Sequence, residues 1–304
     1  MIVDTHTHAW NTPDEWGPQI SALLRASAPA PEELDSTVAG LYLALEDADA
    51  AFVLGFRSKL LGARIPDAIL QACLDAMPDK LVAFAGVDPM EDGYLDAIAA
   101  LPALRMRGVV VSPSEQGFHP LHSRAVKLYE KCVEMRMPLV VHQGGDYVSH
   151  SMLEHAQPLH LDAVARDFPT LKVLLTHCGH PFTDQALALL GKHENVYTEI
   201  GGLTARPRQL YQVLLMAHQL GVIGKVLLGS DFPRQTPRSA IEAVYSLTQL
   251  AQGAGVPTVP RQALRAIVER DAISALGLPP LAGPRTPRGD AGSKVHSGRS
   301  ATPA

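Results

Sequence analysis

Short, continuous runs of apolar and β-branched residues recur along the chain, separated by stretches of helical period. The runs are Met1-Ile2-Val3, Ala51-Phe52-Val53-Leu54, Leu81-Val82-Ala83-Phe84, Val109-Val110-Val111, Leu139-Val140-Val141, Val173-Leu174-Leu175, Asn195-Val196-Tyr197 and Val226-Leu227-Leu228. Between them, apolar residues fall at helical spacing, as in Ala68-Ile69, Ala72-Cys73 and Ala76-Met77, or Ala125-Val126, Tyr129 and Val133. Strands without a polar face, each followed by a helix, predict a parallel sheet covered on both sides. Eight such units within roughly 250 residues are the content of a closed α/β barrel, the (β/α)8 or TIM barrel. A doubly wound open sheet competes, but no G-x-G-x-x-G phosphate loop follows any of the eight runs. The longest connection, Trp10 to Pro31, suits a loop over the barrel mouth. A further helix over about Pro260 to Leu276 would close the body.

The pattern stops near residue 278. Residues 279–304 hold five Pro, four Gly and three Ser, with four Lys or Arg against one Asp, which reads as a disordered tail. One barrel domain over 1–278 and a tail over 279–304 are therefore expected. Since the whole chain carries −5, the body alone stands near −8. A body that acidic argues against nucleic acid as a partner, because phosphate binding needs a basic face. No apolar run reaches the roughly 18 residues of a spanning helix, so no membrane partner is expected. The opening Met1-Ile2-Val3-Asp4 lacks the pattern of a signal peptide, and the three cysteines make no framework of pairs. Both features lead us to expect a cytoplasmic protein with reduced thiols.

The chemistry gathers where the strands end. The first runs into Asp4-Thr5-His6-Thr7-His8, and residues two apart on a strand share a side, so Asp4, His6 and His8 are expected to face the barrel axis together. The fifth ends in His142, the sixth in His177-Cys178-Gly179-His180, and the eighth in Gly229-Ser230-Asp231-Phe232-Pro233. In a closed barrel these ends converge on one mouth, where His6, His8, His142, His177 and Asp231 could reach one ion. Five such groups buried around an axis with nothing to satisfy them would be costly, which favours a metal site over chance.

These residues carry a resemblance. The strand-one Asp4-Thr5-His6-Thr7-His8, the strand-five Pro138-Leu139-Val140-Val141-His142, the strand-six Leu175-Thr176-His177-Cys178-Gly179 and the strand-eight Gly229-Ser230-Asp231-Phe232-Pro233 resemble the amidohydrolase superfamily. Within it they are similar to the amidohydrolase-related family of aminocarboxymuconate-semialdehyde decarboxylase, γ-resorcylate decarboxylase and pyrone-dicarboxylate lactonase. Leu161 to Pro169 and Asn195-Val196-Tyr197 are also family-like, and the likeness spans residues 1 to about 278. It implies that His6, His8, His142 and Asp231 hold one divalent ion, most often zinc in relatives. His177, together with Asp231, would be catalytic. The bridging lysine of binuclear relatives has no counterpart in Gly108-Val109-Val110-Val111-Ser112-Pro113, so a single ion is implied. Such an ion lowers the pKa of water toward about 7. Asp231 would then take a proton from that water, and His177 would polarise a carbonyl or protonate the departing group. Asp4 would accept a hydrogen bond that orients His6 or His8. Arg270-Asp271-Ala272 departs from the Gly-Asn-Ala of relatives. A homodimer is expected only by likeness to them.

For the substrate, Arg234 is the best-placed cation to meet a carboxylate, with Arg57 after the second strand as second choice. Trp10 and Trp16 lie in the long first loop, where Trp10 is taken as an aromatic that stacks on a planar substrate. His119, His122, His150, His155 and His160 read as loop histidines, His180 as a loop or helix-start residue, and His193, His218 and His296 as surface. The expected partner is a small molecule. Hydrolysis of an amide, lactone or ester in a small carboxylated or cyclic substrate is the leading reading, and decarboxylation of a small unsaturated or aromatic acid on the same site is the alternative.

Overall fold

A computed structural model of the chain describes residues 1–27, 35–143, 148–254 and 256–281. Eight strands run parallel in the order of the chain: β1 Val3–Thr7, β2 Ala50–Leu54, β3 Leu81–Gly86, β4 Gly108–Val111, β5 Leu139–Val141, β6 Val173–Leu175, β7 Val196–Glu199 and β8 Val226–Leu227. Each is one of the eight runs read from the sequence. The first and last meet: Thr5 N–H donates to Leu228 O at 2.9 Å, Asp231 N–H to His6 O at 3.0 Å and His8 N–H to Phe232 O at 2.9 Å. These bonds close the sheet into a barrel.

Alternation explains why the strands lack a polar face. Ala50, Phe52 and Leu54 of β2 meet Val82, Phe84, Val110, Val140, Leu174 and Leu227 in the lumen, while Ala51, Val53, Val109, Val111, Leu139 and Val141 pack outward under the helices. Both sides are dry, as a covered parallel sheet requires. The lumen is therefore a packed core, and the polar groups of β1, β5 and β6 are confined to the C-terminal rim.

Two connections differ from the expectation. The segment from Trp10 to Pro31 is helical over much of its described part, with a turn at Pro13–Trp16 and a helix at Gly17–Ser27, and residues 28–31 lie outside the described residues. The closing helix is broken into Arg261–Val268 and Ala272–Ala275, because Asp271 caps the second piece by accepting from Ser274 N–H at 3.1 Å. Ala272, Ile273 and Leu276 then stopper the lumen from below. The chain stays attached past residue 278: Arg107 Nη1 donates to Pro279 O at 3.1 Å, and Leu281 packs on the stopper. The remainder of the expected tail, 282–304, lies outside the described residues.

Candidate active site and metal centre

The strand-one motif departs from strict alternation. Val3 sits in the lumen, but the pairing of β1 with β2 slips by one residue between Asp4 and Thr7, a bulge of the kind that re-aims side chains beside functional sites. His6 and His8 come together, while Asp4 does not join them. Its Oδ1 accepts the backbone N–H groups of His6 at 3.1 Å and Ser230 at 2.9 Å. Asp4 thus ties the backbone of β1 to the end of β8 and orients neither ring, contrary to the role expected for it. Burial raises its pKa to about 6.

Hydrogen bonds to groups that only accept fix where each imidazole carries its proton. His6 Nδ1 lies 2.9 Å from Glu199 Oε1, His8 Nδ1 2.8 Å from Leu54 O and His177 Nδ1 2.8 Å from Gly201 O. Each Nδ1 must be the N–H, and each Nε2 is left as a lone pair. The Nε2 atoms of His6 and His8 face each other at 3.0 Å. Two lone pairs at that separation need a cation between them, either a proton or a metal. One ring nitrogen of His142 lies within 4.8 Å of ligand atoms of both, and Asp231 Oδ1 lies 3.6 Å from His6 Nε2. The donor set of imidazole lone pairs and one carboxylate suits a divalent transition metal.

The electrostatics agree. Burial holds His8 well below the usual histidine range, and the charge on His6 adds to this; burial followed by the charge on His177 does the same to His142. Both rings are neutral donors. Burial also disfavours charge on His6, but the Glu199 carboxylate outweighs it and raises that pKa. Glu199 itself is brought to about 2: burial alone would raise it, and the charge and hydrogen bond of His6 more than offset that. A proton on His6 Nε2, favoured by Glu199, is therefore the alternative to an ion in the gap to His8.

Glu199 had escaped the sequence reading. It is fully buried at the end of β7, two residues beyond the run read as a strand, and extending the alternation from Tyr197 was the available signal. His177 is 3% exposed, with its ring centroid 4.7 Å from that of His6 and 5.3 Å from that of His142. Burial lowers its pKa. It rests neutral with no proton on Nε2, so in that state it accepts a proton and does not donate to a carbonyl. Asp231, at φ 64°, brings its carboxylate beside His177, both groups being within 3.4 Å of where a Cβ on Gly202 would stand.

The proposed substrate residues separate. Arg234 is partly buried in the turn after Asp231, its N–H donating to Asp231 O at 2.9 Å, and its charge acts on His8, His142 and Glu115. Arg57 is turned away: its guanidinium pairs with Glu91 at 3.3 Å and Asp67 at 3.6 Å. Its place in a small hairpin, Arg57–Ser58 against Ala63–Arg64, aims it at those acids. Trp10 is also displaced, being 3% exposed behind Trp16. Trp16 is the indole that meets the site, 5.3 Å from His8 and 5.1 Å from Phe56 between ring centroids. Glu115, near the end of β4, is a further buried carboxyl at the mouth, 3.9 Å from His142 Nδ1, and burial raises its pKa to about 7.

Among the described residues the other histidines make no comparable set. His119 stacks near His160 and His155, at 4.5 and 5.7 Å between centroids. However, His119 Nδ1 accepts from Leu121 N–H and His160 Nε2 lies against Glu154 O, so their lone pairs are not gathered on one point. His180 faces Arg206, His150 meets the Ser149 hydroxyl, and His122 caps a helix by accepting from Arg124 N–H. His193, expected at the surface, is 8% exposed and holds Asp162 at 2.8 Å. His218 is partly exposed, and His296 lies outside the described residues.

Both tryptophans of the chain stand at this mouth, which gives a direct assay. Titrating metal-free protein with Co(II) or Cu(II) is expected to quench most of the tryptophan emission, with saturation at one equivalent, and His142→Ala is expected to abolish that saturable phase. Emission indifferent to the ions would place the metal elsewhere.

The sequence model of the amidohydrolase family matches residues 3–278. Among solved structures, an uncharacterized TIM-barrel protein from Bordetella bronchiseptica is 18% identical with a TM-score of 0.69, covering 91% of this chain and 99% of its own. A probable 2-pyrone-4,6-dicarboxylic acid hydrolase from Acinetobacter baumannii with citric acid bound is 16% identical, TM-score 0.64, at 91% and 99% coverage. A 5-carboxyvanillate decarboxylase from Novosphingobium aromaticivorans, complexed with manganese and 4-hydroxy-3-methoxy-5-nitrobenzoic acid, is 14% identical, TM-score 0.65, at 91% and 96%. No protein of curated function matches the sequence. The family match over nearly all of the barrel shows that this chain belongs to the amidohydrolase family of enzymes.

Proposed function

We propose that the protein is a metal-dependent hydrolase that opens an amide, lactone or ester bond in a small carboxylated or cyclic substrate. The observation that carries this reading is the convergence of the His6 and His8 Nε2 atoms, 3.0 Å apart, a spacing that calls for a cation between them. His6, His8, His142 and Asp231 would hold one divalent ion, and the nitrogen-rich donor set favours zinc. When bound, the ion supplies Lewis acidity that brings water and a substrate carbonyl into reach at neutral pH.

The chain's own groups do the rest. Asp231, its side chain 13% exposed toward the mouth, takes a proton from the attacking water. His177, neutral and with Nδ1–H anchored on Gly201 O, receives that proton on Nε2 and returns it to the departing oxygen or nitrogen. Arg234 binds a substrate carboxylate by its guanidinium fork. Trp16 and Phe56 form an aromatic wall beside His8 and His142.

A panel of lactones, amides and aromatic or muconate-type acids, assayed for both ring opening and released carbon dioxide, tests the reading. Hydrolysed product from at least one lactone or amide is expected. Carbon dioxide with no hydrolysed product anywhere would turn the assignment to a decarboxylase, the reading favoured by the decarboxylases among the structural relatives.

A further inference from the structure

We propose that Glu199 is a positioning residue that sets both the metal affinity of His6 and the aim of His177. The proposal rests on the metal reading given above. Its carboxylate, 0% exposed, reaches from the end of β7 to the ends of β1 and β6. Oε1 accepts His6 Nδ1–H at 2.9 Å and the backbone N–H of His177 at 2.6 Å, while Oε2 accepts Gly201 N–H. All three partners are donors, so the site requires a group that only accepts. A carboxylate meets that condition, and an amide does not.

Two features show that the surroundings are shaped around it. A Cβ on Gly201 would lie 2.7 Å from Oε2, and one on Gly229 would overlap the same oxygen, so glycine stands on either side where any other residue would displace the charge. His177 and the next residue, Cys178, both hold left-handed backbone, at φ 53° and 49°, a conformation unfavourable to a non-glycine residue. The bond from His177 N–H to Glu199 helps hold that conformation and with it the direction of the ring.

The consequence for His6 is electronic as well as geometric. A carboxylate on Nδ1–H makes Nε2 a better donor and keeps the ring turned toward His8. In Glu199→Gln one oxygen becomes an NH2 that opposes an N–H, either at Gly201 or at the His6–His177 pair. In Gly229→Ala the carboxylate keeps its charge but is pushed off position.

The test measures zinc affinity by chelator competition and histidine tautomers by 15N NMR, on the full chain. Both variants are expected to bind zinc on the order of 10–100-fold more weakly than the parent. Glu199→Asp, which keeps the charge on a shorter arm, is expected to fall between Glu199→Gln and the parent. In the zinc-loaded parent, His6 should keep its proton on Nδ1, with a hydrogen-bonded shift that is lost in Glu199→Gln. Equal affinities in parent and variants would overturn the proposal and leave the metal site standing. A parent whose His6 carries its proton on Nε2 would overturn it even if no variant folds. A parent that binds no stoichiometric zinc would overturn the metal reading and this proposal together.

Discussion

His142→Ala is expected to purify without its divalent ion and without turnover, yet to melt close to the metal-free parent. His6→Ala is expected to lose the ion and also to melt several degrees below that reference. The difference follows from what each ring touches on its far side. His142 faces Glu115 across 3.9 Å, a partner that burial already pushes toward its neutral form, so truncation strands no strong charge. His6 faces Glu199 at 2.9 Å, both side chains being 0% exposed. Removing one partner of a buried pair leaves an uncompensated charge, which typically costs about 3–5 kcal/mol. Elemental analysis should find about one ion per chain in the parent. Two equivalents, or an ion retained by both variants, would sink the ligand assignment.

The same pair gives the experiment a pH signature. In the metal-free protein His6 has a raised pKa, so its share of stability is complete below the ordinary 6.5 and is lost as pH climbs through the raised value. Glu199 has a depressed pKa, so its share is present above the ordinary 4.5 and is lost as pH falls toward about 2. Between those limits the metal-free pair is intact, and an ion must displace the proton from His6 Nε2. Apparent affinity should then rise by about tenfold per pH unit while that proton is being displaced, and level off once His6 is neutral. His6→Ala has no such proton to release.

The barrel was legible because its signal repeats. Eight runs such as Val109-Val110-Val111 leave no polar face, and only a sheet covered on both sides accommodates them. The ligand candidates were legible for a related reason, since a closed barrel brings every strand end to one rim whatever its loops do. What the sequence hid depends on single-residue slips and on directions. The bulge in β1 removed Asp4 from the face shared by His6 and His8, and no hydropathy pattern marks a slip of one residue. Arg57 and Trp10 lie in connections, where neighbours decide the aim: Glu91 and Asp67 capture the one, and Trp16 screens the other. Glu199 was hidden because an acid after a short strand looks like a solvated end. Its meaning lies in Gly201 and Gly229, residues that matter by leaving room.

His177→Asn is expected to lose on the order of 10²–10⁴ in turnover while binding its ion nearly as tightly as the parent. Asparagine is the informative replacement at this position. His177 holds left-handed backbone at φ 53°, a conformation in which asparagine is among the best tolerated of the non-glycine residues. Its side-chain NH2 is also able to donate to Gly201 O in place of Nδ1–H. The substitution therefore keeps the fold and the local hydrogen bond, and removes only the basic Nε2. A merely structural histidine would show little change in turnover under that replacement. A ligand would show loss of the ion, and His177 would then join His6, His8 and His142 in holding it. If instead the ion stays and turnover falls, the proton taken up by His177 is one that the reaction must move, and Asp231 alone does not carry it.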